Sequence, residues 1–196
     1  MEVNYRFPKV EDAVFYSFER QKQRYEYIRP FLGENAVGAE IGVFKGGFGE
    51  FLRQHTEVLY LVDPWIKLST YWGDKKPENS VVKAFIQVLT IYQEEIEAGR
   101  VKVVPDFSVP FLDSLDDEHL DWIYLDASHK YEDTLKEIRA AIPKIKKGGY
   151  LLGDDFDPNP ESKQHGVYLA VNQIISEYGY EMPLNNSRQW GLKINT

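Results

Sequence analysis

The sequence predicts an α/β chain folded as a doubly wound sheet. Seven strands are expected, mostly parallel, with an antiparallel pair at the C-terminal end and helices on both faces. Three observations predict this Rossmann-like layout. Short apolar runs alternate with amphipathic helical stretches along nearly the whole chain. The runs read as near-continuously apolar, the mark of strands covered on both faces. Acids and glycines stand where the runs end, and open parallel sheets bind ligands at the carboxyl ends of their strands.

Each element has its own signal. "EDAVFYSFERQKQRYEYI" (11–28) places Val14, Phe18 and Tyr25 near one helical face, and Arg29-Pro30 ends it. "AVGAEIGV" (36–43) is the first strand, a glycine turn follows, and "GFGEFLRQH" begins a helix. "EVLYLVD" (57–63) is a buried second strand. The aromatic, irregular stretch 64–80 has the length of a functional loop. Val81, Phe85, Val88, Leu89, Tyr92 and Ile96 recur at helical spacing. "RVKVVPD" (100–106) and "LDWIYLDAS" (120–128) are strands three and four. Leu135, Ile138, Ile142 and Ile145 mark a helix that Gly148-Gly149 should stop. "GYLLGDDF" (149–156) is the fifth strand, Val167 to Tyr178 a last helix, and "YGYEMPL" with "RQWGLKIN" the closing pair.

With 196 residues the chain fits one domain, an N-terminal helical extension (1–35) on a core at 36–196. A net charge of −8 argues against a nucleic-acid partner, which needs clustered cations. No apolar run reaches the roughly 18 residues of a membrane span, and the N-terminus lacks signal-peptide order. The absence of cysteine agrees with a cytoplasmic setting and excludes thiolate metal sites.

The residues at strand ends are the candidates for chemistry. Gly42, Gly46, Gly47 and Gly49 let backbone approach a ligand between the first strand and its helix. Their spacing is not the GxGxxG of a pyrophosphate cradle, which ranks an NAD-dependent oxidoreductase low. Asp63 closes the second strand, where an acid can accept both hydroxyls of a ribose. Asp126 and Asp154 end neighbouring strands, and Asp155 adds a third carboxylate. Three such acids repel unless protons or a cation neutralise them, and oxygen ligands suit a hard ion such as Mg²⁺. His129 stands three residues beyond Asp126, one of only four histidines, and is placed to move a proton.

"EIGVFKGGF" followed by "LYLVD" resembles the first two motifs of class I S-adenosylmethionine-dependent methyltransferases, over roughly residues 36 to 194. The resemblance implies that Glu40, with the backbone of Gly42 to Gly46, holds the methionine end of the cofactor and Asp63 its ribose. It puts Asp106, Phe107 and Ser108 beside the adenine. "YLDASHKYED" and "IKKGGYLLGDDF" resemble a bacterial methyltransferase family with an "IDGxHxYE" signature, and the metal-dependent O-methyltransferases of catechol and macrocin type. That likeness implies a metal held by Asp126, Asp154 and Asp155. Where the catechol type has a lysine base, this chain has His129; without metal, His129 would act as base with Asp126 orienting it. The expected activity is O-methylation of a small hydroxyl acceptor, a sugar or a phenol. A methyltransferase-like module that binds cofactor or partner without turnover is the alternative. The tyrosine-rich first helix and the loop at 64–80 are candidates for covering the acceptor and for joining two copies as a homodimer.

Overall fold

A computed structural model describes residues 15–66, 79–186 and 188–195. Helix α1 (Phe15–Ile28) runs into a 3₁₀ turn, where Pro30 pre-sets the backbone. Strand β1 (Ala36–Ile41) leads through the glycine turn to the single-turn helix α2 (Gly49–Leu52) and then β2 (Thr56–Val62). The expected loop at 64–80 lies mostly outside the described residues, as does the start of the first helix at 11–14. Helices α3 (Asn79–Ile91) and α4 (Gln93–Glu97) replace the single helix expected there, because Tyr92 leaves the helical region. After β3 (Val101–Val104), a short helix α5 (Ser108–Asp113) appears that no apolar periodicity announces. Strand β4 (Leu120–Leu125) and helix α6 (Tyr131–Ala141) follow.

Here one boundary is corrected. The helix does not reach Ile145; it ends before Ile142-Pro143-Lys144, and strand β5 (Ile145–Gly153) begins at once. Pro143 forces the exit, since proline clashes with continued helix behind it. Gly148-Gly149 lie inside β5, near where its register with β4 slips between Leu120 and Trp122. Helix α7 (His165–Tyr178) closes on Gly179 at φ 69°, and β6 (Leu184–Asn186) pairs antiparallel with β7 (Gln189–Lys193).

The seven strands order as β3-β2-β1-β4-β5-β7-β6, parallel from β3 to β5 and antiparallel beyond. The expected fold class is therefore the observed one. Side chains alternate between two apolar layers. Ile41, Ile123, Leu125 and Leu151 pack toward α6 and α7; Leu59, Leu61, Trp122, Tyr124 and Leu152 pack with the residues of α1, α2 and α3. The first residue past each of β1, β2, β4 and β5 is tied to a neighbouring strand or its end. The amide of Gly42 donates to Val62 O (2.8 Å), Asp63 to Val104 O (3.3 Å), Asp126 to Ile41 O (2.8 Å) and Asp154 to Leu125 O (3.3 Å). The sheet ladder thus runs one step into the functional rim and fixes where each acid starts. Among the described residues, no helix is long and apolar enough to cross a membrane.

Candidate active site

A cavity of about 910 Å³ opens along this rim. Glu40, Gly42, Asp63, Asp106, Phe107, Ser108, Asp126 and His129 all line it, so eight sequence candidates meet on one wall system. Gly46 stands behind the wall, where the Tyr92 hydroxyl donates to its carbonyl at 2.5 Å. Asp154 and Asp155 sit behind Asp126 rather than on the cavity surface.

The glycine turn is shaped by close approach. Gly42 has φ 94°, and a Cβ there would fall 2.0 Å from Asp126 O, so only glycine lets β1 turn beside the end of β4. Glu40, one of the buried acids of the sheet, keeps Oε2 without a hydrogen-bond partner. Burial pushes its carboxyl well above the usual range, with Asp126 adding to the rise. An unpartnered buried carboxyl oxygen is costly, and a ligand ammonium would satisfy it.

Asp63 is more than a free acceptor. Its carboxylate receives the amides of Phe44 (2.9 Å) and Trp65 (2.8 Å), while the Trp65 indole donates to Phe44 O (2.8 Å). Phe44 (φ 52°) and Trp65 (φ 43°) both hold left-handed backbone, which is unfavourable for bulky side chains. Asp63 therefore clips two strained residues into the cavity wall, and burial raises its pKa against those amides. Asp63→Ala is expected to lower stability by about 1–3 kcal/mol, because two buried amides lose their acceptor. The urea midpoint measures this; an unshifted midpoint would dismiss the clip.

At the far end, Asp106 accepts the amide of Phe107 (2.7 Å), and the Phe107 ring stays 45% exposed although it lines the cavity. An exposed ring beside a cavity offers a stacking face to a planar heterocycle. Ser108 donates to Glu137 Oε1 (2.7 Å), and Glu137 Oε2 is a second buried oxygen without a partner. Glu137 was not legible in the sequence, since it sits within an ordinary amphipathic helix. An acid for an ammonium, an acid beside the strand-two turn and an exposed ring together fit an adenosylated amino acid.

The opposite end holds the acids. His129 Nε2 lies 3.9 Å from Asp126 Oδ1 and 3.0 Å from Asp155 Oδ2. The carboxylates of Asp126 and Asp155 push the imidazole pKa from an ordinary 6.5 up to about 10, despite partial burial. Asp155, at φ 66°, also receives Arg188 at 2.8 Å and stays ionised below the usual range; His129 and Arg188 outweigh its burial. Asp154, 2% exposed at its side chain, receives Gln189 Nε2 at 2.5 Å. Burial, then the charge of Asp126, raise its pKa to about 6 against the pull of Arg24.

Arg24 is the residue the sequence reading missed. From α1 it donates to Asp126 Oδ2 at 2.8 Å and pairs with Asp154, while Arg20 reaches Asp154 at 3.4 Å. The signal was present: Arg20 and Arg24 are four apart in "ERQKQR", one charged face opposite Phe18 and Tyr25. The expected trio of Asp126, Asp154 and Asp155 therefore does not close on one point. The ligand atoms that come within 4.8 Å of one another belong to Asp126, His129 and Asp155. Three guanidinium groups already face the three carboxylates. A divalent ion fits poorly among donors so compensated. The other three histidines serve elsewhere: His55 meets Tyr25, His119 meets Tyr60, and His165 meets the carbonyl of Asp157.

A family model described as a methyltransferase domain matches residues 39–156. An uncharacterized protein of Acanthamoeba polyphaga mimivirus is 25% identical over 149 residues, which is 75% of this chain and 62% of that protein. The chain thus spans less than two thirds of that relative's length. Among solved structures, a protein from Corynebacterium glutamicum superposes with a TM-score of 0.66 at 14% identity, over 95% of this chain and 87% of the other. An O-methyltransferase from Bacillus cereus, in complex with SAH, superposes with a TM-score of 0.60 at 12% identity, over 95% and 84%. At these identities the structural likeness is one of fold.

Proposed function

The chain belongs to the methyltransferase-domain family, and from that premise we propose that it carries a methyl group from S-adenosylmethionine to a hydroxyl oxygen of a small acceptor, a sugar or a phenol. One observation carries the reading: a titratable group, His129, and the orphaned acid Glu40 line one continuous cavity. Glu40 would take the ammonium of the cofactor, Asp63 the ribose hydroxyls with its remaining lone pairs, and Phe107 the adenine face. When bound, S-adenosylmethionine supplies an electrophilic methyl on a sulfonium.

The chain's own residues supply the rest. The cavity aligns acceptor and donor, which contributes several kcal/mol to the barrier reduction. His129, through the ring nitrogen turned away from Asp126 and Asp155, takes the hydroxyl proton as the new C–O bond forms and the sulfur keeps the electron pair of the broken S–C bond. Asp126 and Asp155 orient the imidazole and stabilise its charged form. No step is routed through a metal. The experiment is transfer of labelled methyl groups to a panel of sugar and phenol hydroxyls, beside a panel of amines. Labelled oxygen ethers support the proposal. Labelled amines alone would overturn the oxygen specificity. Tight cofactor binding with no labelled product from any acceptor would favour the non-catalytic alternative.

A further inference from the structure

We propose that Arg24 is a built-in cation of the acceptor end, neutralising Asp126 and Asp154 in place of the divalent ion that converging carboxylates otherwise demand. The inference rests on the methyltransferase reading for its purpose, but its geometry stands independently. Asp126 and Asp154 leave adjacent parallel strands, each pinned by the backbone of its neighbour, and they cannot separate to relieve their repulsion. A proton or a positive charge must offset that repulsion. Arg24 supplies the charge, with its side chain 15% exposed, bonded to Asp126 Oδ2 at 2.8 Å and to Asp154.

The surroundings lock this arrangement. Gln189 donates to Asp154 at 2.5 Å and accepts from the Tyr124 hydroxyl at 2.8 Å, so the other face of Asp154 is also filled. Arg20 and Arg188 bring the guanidinium count to three against three aspartates. A divalent ion between Asp126 and Asp154 would have to expel the fixed charge that Arg24 holds there. Arginine suits the task because its fork can bridge two carboxylates and it does not lose its proton. The helix that carries it, α1, lies before the matched family stretch at 39–156, so this charge reaches the site from outside the shared core. Arg24 is thus a positioning residue, acting on the acceptor through Asp126 and, beyond it, His129.

The test is ion binding, which does not depend on turnover. Thermal unfolding of the full chain is followed while Mn²⁺ or Mg²⁺ is titrated, for the natural protein, Arg24→Ala and Arg24→Lys. The natural protein should keep one Tm with or without chelator. Arg24→Ala should unfold at lower temperature in chelator and recover by about 5–10 °C at saturating Mn²⁺, because removal of the charge opens an ion site. Arg24→Lys, which keeps a charge, should show no such recovery. Saturable ion stabilisation of the natural protein would overturn the proposal, and this arm holds even where Arg24→Ala fails to fold. So would an Arg24→Ala protein that folds but ignores both ions. Failure of the transferase reading would show separately, as absent methyl transfer with the ion results unchanged.

Discussion

His129→Ala is expected to lower kcat for methyl transfer by about 10²- to 10⁴-fold, the usual contribution of a positioned proton acceptor, while cofactor affinity stays unchanged. The pH profile distinguishes this loss from a general structural one. Asp126 and Asp155 raise the imidazole pKa to about 10, so near neutral pH the folded protein holds mostly imidazolium, which cannot accept a proton. The natural protein should therefore gain rate with rising pH, about tenfold per unit, until it levels near pH 10. Stability should move the other way. A group whose folded pKa lies above its unfolded value of 6.5 stabilises fully below that value. Its contribution fades as pH rises toward 10. Denaturation midpoints across that window should fall in the natural protein and stay flatter in His129→Ala. A rate independent of pH between 7 and about 10 would remove His129 from the proton-transfer role.

Gly42→Ala is expected to cost about 4 kcal/mol or more, a large share of the roughly 5–15 kcal/mol that holds a domain. Two effects add. The residue sits at φ 94°, and the new methyl would stand 2.0 Å from Asp126 O and 2.5 Å from Asp126 C. Relief requires moving the end of β4, and Asp126 moves with it. Chemical denaturation should show the lost stability, and whatever folds should bind S-adenosylmethionine weakly and transfer poorly. A variant with the natural midpoint and natural affinity would show that the turn yields at little cost.

The strands were legible because β1, β4 and the end of β2 are buried on both faces and read as apolar runs. That pattern depends only on local sequence, so β1 to β5 appear at nearly the expected positions. The cavity wall was legible for the same reason: Glu40, Gly42, Asp63 and Asp126 stand at run ends, and parallel topology sends run ends to one rim. What failed were judgements about interruption. Gly148-Gly149 look like a helix stop, but Pro143 had already ended the helix, and glycines inside a strand mark a bend instead. The single helix expected from Val81 to Ile96 breaks at Tyr92, whose ring is fully buried and whose hydroxyl reaches Gly46, a tertiary demand with no local trace. The acid cluster was half legible. Spacing put Asp126, Asp154 and Asp155 near one another, but their counter-charges come from Arg24 and Arg188. These lie at sequence distances of 102 from Asp126 and 33 from Asp155, so the local pattern shows a charged helix face for Arg24 but not which acids it meets.

The backbone ties at the strand ends have a consequence for how this chain can vary. Because Gly42, Asp63, Asp126 and Asp154 each continue the ladder of the next strand, their lateral spacing is inherited from the roughly 4.8 Å repeat of the sheet. The rim works as a ruler whose divisions the side chains cannot alter. Lengthening the connection at 156–164, which lies outside the strands, leaves those divisions untouched. Deleting one residue within β1, β2, β4 or β5 flips the strand's outward and inward faces and moves a division off the scale. The connections can thus vary in length, whereas the rim accepts only substitutions that keep every strand in step.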